Sequence, residues 1–172
     1  MAITRLGGAN AISGTIPQGN IANSSLGAVT ALPAAISTGK VLQVVTVTDD
    51  TNRSTTSTSF AHISQFDLAI TPSATSSKIF LSFSGLLYKG DNGSTGQVTF
   101  YRDSTDLSGS STSFAINDGD NKYDGSTGMS YLDSPNTTSQ VTYKVYMKVN
   151  SGTAELVNSA AKGSFTAFEI GA

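Results

Sequence analysis

Cysteine is absent from the 172 residues, so neither a disulfide framework nor thiol chemistry is available. Tryptophan is absent too, and histidine occurs once, at His62. A single histidine with no cysteine leaves zinc almost without ligands. Charged residues make up only 13% of the chain, against about 25% in ordinary globular domains. The ten Lys and Arg are scattered singly and the formal net charge is −2. No basic patch therefore exists to neutralise phosphates, and nucleic acid is not an expected partner. No apolar run approaches the ~20 residues that cross a bilayer, so no membrane partner is expected. The opening Met1-Ala2-Ile3-Thr4-Arg5-Leu6-Gly7-Gly8 lacks the apolar stretch of a secretory signal. Synthesis in a host cytoplasm, without export, is the expectation.

What the chain does have is Ser, Thr and Gly. Ser and Thr exceed a quarter of all residues, and there are 17 glycines. Its surface is hydrated by hydroxyls and amides rather than by charge. Low charge can signal disorder, but here 38% of residues are apolar and they fall in period-two runs.

Two zones differ in character. In residues 1–39 the apolar side chains Ile3, Leu6, Ile12, Ile16, Ile21 and Leu26 are dispersed among small polar residues with no helical or strand period. Pro17, Pro33, Gly7, Gly8, Gly14, Gly19 and Gly27 interrupt any long element. Such a segment cannot build its own core, yet it is too apolar for a solvated linker. It reads as an extended attachment arm that buries those side chains against a partner, the alternative being a flexible tail. Residues 40–172 read as a β-sandwich domain.

Strands are expected over Val41–Thr48, Ser59–Ile70 with a bulge near Ser64, Lys78–Leu86, Gly96–Arg102, Ser113–Ile116, Met129–Leu132, Ser139–Val149, Ala154–Val157 and Ser164–Ile170. Between the first two, Asp49–Thr56 reads as a polar loop. Thr71-Pro72-Ser73 is a turn, because Pro72 has no N–H for a ladder. Asp91-Asn92-Gly93-Ser94 carries the Asn-Gly hairpin signal. In Ser139–Val149, Val141, Tyr143, Val145, Met147 and Val149 share one face. The other face, with Lys144 and Lys148, reads as solvent-exposed or edge-like. Eight or nine short strands and no amphipathic helix predict an all-β fold: an antiparallel two-sheet β-sandwich, jelly-roll-like, with an extended N-terminal arm.

Chemistry is hard to place on this sequence. His62 has no nucleophile-elbow motif beside it, and reads as a surface or interface imidazole. The acidic residues sit mostly next to Gly, Asn or Ser, where turn formation alone would put them, so paired-carboxylate hydrolysis has little support. Asn117-Asp118-Gly119-Asp120-Asn121 with Asp124 offers oxygen ligands for calcium but lacks an EF-hand's closing Glu; a solvated hairpin loop is the simpler reading. No catalytic, cofactor-binding or metal residues are assigned, no cofactor is expected, and the chain is read as not an enzyme. Tyr88, Asp91, Asn92, Asp120, Asn121 and Tyr123 are candidate exposed loop contacts, Tyr123 standing out within its Asn/Asp/Gly loop.

Gly39-Lys40-Val41-Leu42-Gln43-Val44-Val45 and Ile70-Thr71-Pro72-Ser73-Ala74-Thr75-Ser76-Ser77-Lys78-Ile79 resemble segments of tailed-phage virion proteins, often from marine phages. Tyr101-Arg102-Asp103-Ser104-Thr105, the Ser134–Thr138 loop with Thr142-Tyr143-Lys144-Val145, and Phe168-Glu169-Ile170-Gly171-Ala172 fit the same group. Gly14-Thr15-Ile16-Pro17 and Asn20-Ile21-Ala22 look similar to attachment segments of phage fibre proteins. The resemblance covers about residues 39–172. It implies a β-sandwich head, homotrimeric association and a place on the virion exterior, and it brings no catalytic residues. Expected partners are further copies of the chain, a major capsid protein or other virion proteins, and a host surface glycan if the site is on the tail.

Overall fold

The computed structural model describes residues 40–89, 94–109, 112–118, 123–156 and 161–171. The expectations for Ile3, Leu6, Ile12, Ile16, Ile21 and Leu26 lie outside these residues, as do those for Asp91, Asn92, Asp120 and Asn121.

The described residues form eleven strands: β1 Val41–Asp49, β2 Arg53–Thr55, β3 Ala61–Ile70, β4 Lys78–Lys89, β5 Thr95–Arg102, β6 Thr105–Asp106, β7 Ala115–Asp118, β8 Tyr123–Asp133, β9 Val141–Val149, β10 Ala154–Leu156 and β11 Gly163–Ile170. Eight of them form four nested antiparallel pairs, β1 with β11, β3 with β9, β4 with β8 and β5 with β7. That is one long hairpin folded on itself. Two further pairings, β11 with β4 and β9 with β5, roll it into two sheets. The orders are β1-β11-β4-β8 and β3-β9-β5-β7, with β10 and β2 extending the first and β6 bordering the second. This is the strand order of a jelly roll.

Alternation explains why the sheets face each other. On β9, Val141, Tyr143, Val145, Met147 and Val149 are buried while the residues between them are not. On β11, Gly163, Phe165, Ala167 and Glu169 point inward. A chain of rings runs through the core: Phe66 meets Phe83 edge-on at 5.2 Å, Phe83 meets Phe165 at 6.4 Å, and Phe165 stacks on Phe100 at 5.2 Å. Contacts of this kind add about 1 kcal/mol each beyond area burial.

Four sequence expectations need correction. The stretch Asp49–Thr56 is not all loop: β2 pairs with β10 through Arg53, Ser54 and Thr55. Asn117 and Asp118 belong to β7 rather than to a loop. The strand expected over Met129–Leu132 runs eleven residues as β8, because all eleven find partners on β4. β9 is not an edge, since it lies between β3 and β5. Its lysines are tolerated there because their stems can lie along neighbouring side chains; Lys148 Nζ sits 4.4 Å from the centre of the Phe60 ring.

The expected bulge in β3 is present and large. His62 pairs with Tyr146 and Asp67 with Lys144, so five steps along β3 match two along β9. Gln65 takes φ 87° within it. The buried phase then passes from Ile63 to Phe66, Leu68 and Ile70, which keeps apolar residues inward on both sides.

Candidate functional site

The outer face of the β1-β11-β4-β8 sheet carries an unusual row. Register places Val44 opposite Phe168, Phe168 opposite Phe80, and Phe80 opposite Leu132. Four apolar side chains thus cross all four strands on the side away from the core. Val44 is 53% and Leu132 51% exposed, and the Phe80 and Phe168 rings lie 6.1 Å apart. Leu42, 45% exposed, and Ile170 flank the row where the chain enters the sheet. Leu42 lies so close to Gly171 that a Cβ there would stand 3.2 Å from its Cδ1. The next rows are hydroxyls: Thr46, Thr166, Ser82 and Ser130, then Thr48, Ser164 and Ser84. No carboxylate or ammonium lies in these rows; Lys78, opposite Ile170 on the other flank, donates from its ammonium to Ser134 Oγ at 2.8 Å.

The outer face of the other sheet carries a ridge of rings. Tyr101 and Tyr146 stack with centres 3.8 Å apart. Phe60 adjoins Tyr101 at 6.5 Å and His62 adjoins Tyr146 at 5.3 Å. His62 Nε2 lies 2.6 Å from Asp67 Oδ1, a pairing that the β3 bulge creates. Partial burial, then Asp106 and Tyr146, raise the Tyr101 pKa above the ordinary phenol value. Rings flanked by hydroxyls, a carboxylate and ammonium groups suit polar–apolar recognition, as when a sugar face or a partner side chain stacks on them.

Two polar clusters hold the sandwich rather than offer a site. Arg102 donates to both carboxylate oxygens of buried Asp133 at 2.8 and 2.7 Å, and Tyr143 donates to Asp133 Oδ2 at 2.6 Å. Burial, with the Asp133 carboxylate beside it, pushes the Tyr143 hydroxyl far above the ordinary phenol range. Glu169, fully buried, accepts from Gln43 Nε2 at 2.6 Å, from the Ser73 N–H at 2.6 Å and from Ser73 Oγ at 3.1 Å. Burial works to raise its pKa, but the donors around it, Ser77, Gln43 and Ser73, outweigh that and hold it below the usual value.

The structure places the remaining sequence candidates on strands. Tyr88 is half-buried near the end of β4, opposite Glu155. Tyr123 begins β8, opposite Lys89, and is not a loop residue. Among the described residues no group of three His, Asp, Glu or Cys side chains converges as a metal site. Neither outer face was singled out by sequence reasoning. The signal for the row was there: Val44-Val45, Phe80-Leu81, Tyr131-Leu132 and Ala167-Phe168 are places where an apolar residue occupies the polar phase of an alternating strand.

No family model and no curated protein matches the chain. Among solved structures, it is similar to infectious bursal disease virus Gx strain, with TM-score 0.45, 17% identity, and coverage of 73% of this chain and 31% of that one. Particles of T=1 symmetry derived from infectious bursal virus give TM-score 0.44, 15% identity, and 74% and 35% coverage. A T13 particle of the same virus gives TM-score 0.42, 13% identity, and 77% and 38% coverage. The chain spans about a third of the length of these chains.

Proposed function

We propose that the chain is a non-enzymatic structural protein of a tailed-phage virion, a homotrimeric capsid decoration or cement protein or a short head fibre. Residues 1–39 dock on the shell and the sandwich faces outward. The observation that carries this reading is the partly exposed apolar row on the outer face of one sheet, in a chain whose first 39 residues are apolar and almost uncharged. Both features belong to a protein that is complete only in an assembly. The sequence resemblance to phage virion proteins points the same way. A protein that binds only the assembled shell stabilises it by mass action. Immunogold labelling of intact particles tests the reading: label over heads is expected, and unlabelled particles contradict it.

One observation favours a second reading, a tail-fibre or receptor-binding tip that recognises a host surface glycan or protein. The Phe60–Tyr101–Tyr146–His62 ridge is a ready stacking surface. On that reading, Tyr101→Ser with Tyr146→Ser abolishes adsorption and leaves particle stability unchanged, and label appears on tails. Adsorption at the parental rate rejects it.

A further inference from the structure

We infer that the Tyr101–Tyr146 ridge on the outer face of the β3-β9-β5 sheet binds an uncharged sugar, its pyranose ring stacked on the tyrosines and its hydroxyls shared between Asp67 and Lys144. The inference deepens the second reading above, on which it rests, by naming the chemistry of the ligand and the polar side chains that meet it.

Register brings the site together. β3, β9, β5 and β6 place Asp67, Lys144, Tyr101 and Asp106 in one row across the outer face. Tyr146 stands in the next row, opposite His62 and Thr99. The two phenol rings are each part-buried and hold one another with centres 3.8 Å apart. They are ordered before any ligand arrives, so stacking on them costs little further side-chain freedom. Two polar groups beside them are unspent. Asp67 meets His62 Nε2 through Oδ1 at 2.6 Å, and its Oδ2 has no hydrogen-bond partner among the described residues. Lys144 faces Asp67 in register but makes no ion pair or hydrogen bond among those residues. The neighbouring charges are already engaged. Asp106 accepts from Thr99 Oγ1 at 3.2 Å and from Ser108 Oγ at 2.8 Å, and Lys148 lies over the Phe60 ring.

These groups select the chemistry of the ligand. Two carboxylates, Asp67 and Asp106, and two ammonium groups, Lys144 and Lys148, surround the rings, which leaves no net charge. An acidic or basic ligand therefore meets no opposing field to hold it. A wholly apolar ligand would bury the free oxygen of Asp67 and the Lys144 ammonium without partners. A protein partner fits poorly, because the core of a protein interface is depleted of charged side chains and here they abut the rings. A pyranose answers each condition. It offers a C–H face to the tyrosines, hydroxyls that donate to Asp67 Oδ2 and accept from Lys144 Nζ, and no charge of its own.

The test is a biosensor titration of the full chain over immobilised dextran, mannan, galactan and chitin oligomers, with polygalacturonate as the acidic counterpart. Binding to at least one uncharged polymer is expected, with weaker binding to polygalacturonate. Binding to none of the uncharged polymers, or tightest binding to polygalacturonate, overturns the inference. Asp67→Asn removes a charged acceptor at an exposed position and leaves the rings in place. It is expected to weaken binding about tenfold. Tyr101→Ser with Tyr146→Ser is expected to abolish binding and keep the far-ultraviolet dichroism of the parent. Parental affinity in either variant overturns the inference, and should the double variant unfold, Asp67→Asn decides alone. Adsorption of particles carrying the double variant separates the two levels. Lost adsorption, with no sugar binding by the parent protein, rejects the sugar and leaves the receptor reading standing. Sugar binding by the parent, with adsorption of the variant particles at the parental rate, rejects the receptor reading.

Discussion

Asp133 shows how a polar residue can be confined in an apolar sandwich. Its two oxygens take three hydrogen bonds, two from Arg102 and one from Tyr143. Removing the carboxylate strands a guanidinium and a buried phenol together, so Asp133→Ala is expected to cost about 3 kcal/mol in urea unfolding. A loss below the scatter of ordinary surface variants would contradict that role. Glu169 gives a pH-dependent counterpart. Its folded pKa lies below the ordinary value, so its contribution is present above the unfolded pKa and is lost as pH falls through the folded one. Glu169→Gln is therefore expected to lower stability at neutral pH by roughly 2 kcal/mol, with the gap closing toward acid. Chemical denaturation at neutral and acid pH measures that closing; a gap that widens in acid has the wrong sign. Neither cluster was legible in the sequence: Arg102 and Tyr143 meet through the pairing of β5 with β9, Asp133 reaches them from β8 of the other sheet, and Glu169 takes its donors from residues 126 and 96 positions away.

The bulge in β3 ties backbone strain to surface chemistry. Gln65 holds φ 87°, a region that costs a side-chain-bearing residue about 1–2 kcal/mol. Gln65→Gly is expected to raise stability by roughly 0.5–1 kcal/mol, the rest being offset by glycine's unfolded-state entropy. Calorimetry reads this as a higher melting temperature, and a drop would show the strain to be absent. Ser64 is where the strand pattern of Ser59–Ile70 broke, so the bulge was readable. That it would bring His62 against Asp67 was not, since this depends on how many residues loop out. The long alternating strands were the most legible parts: β9, β11 and β1 follow period two almost residue for residue. β2 escaped because a three-residue strand is defined by its partners, not by composition, whereas β10, equally short, was expected over Ala154–Val157 and is found at Ala154–Leu156.

For the molecule as a whole, the nested pairing of β1 with β11, β3 with β9, β4 with β8 and β5 with β7 explains why both ends of the sandwich sequence meet at one sheet edge. The all-β class followed from strand count and turn spacing, but the jelly-roll order needs long-range register that no local pattern encodes. The same holds for the row of Val44, Phe168, Phe80 and Leu132, whose members are far apart in the chain. The arm and the row together make attachment through residues 1–39 the core of this account. Co-sedimentation with particles stripped of this protein measures it: the full chain is expected to pellet with the particles, and a folded chain lacking residues 1–39 is expected to stay in the supernatant. Pelleting of the shortened chain at the full-length level would contradict the account.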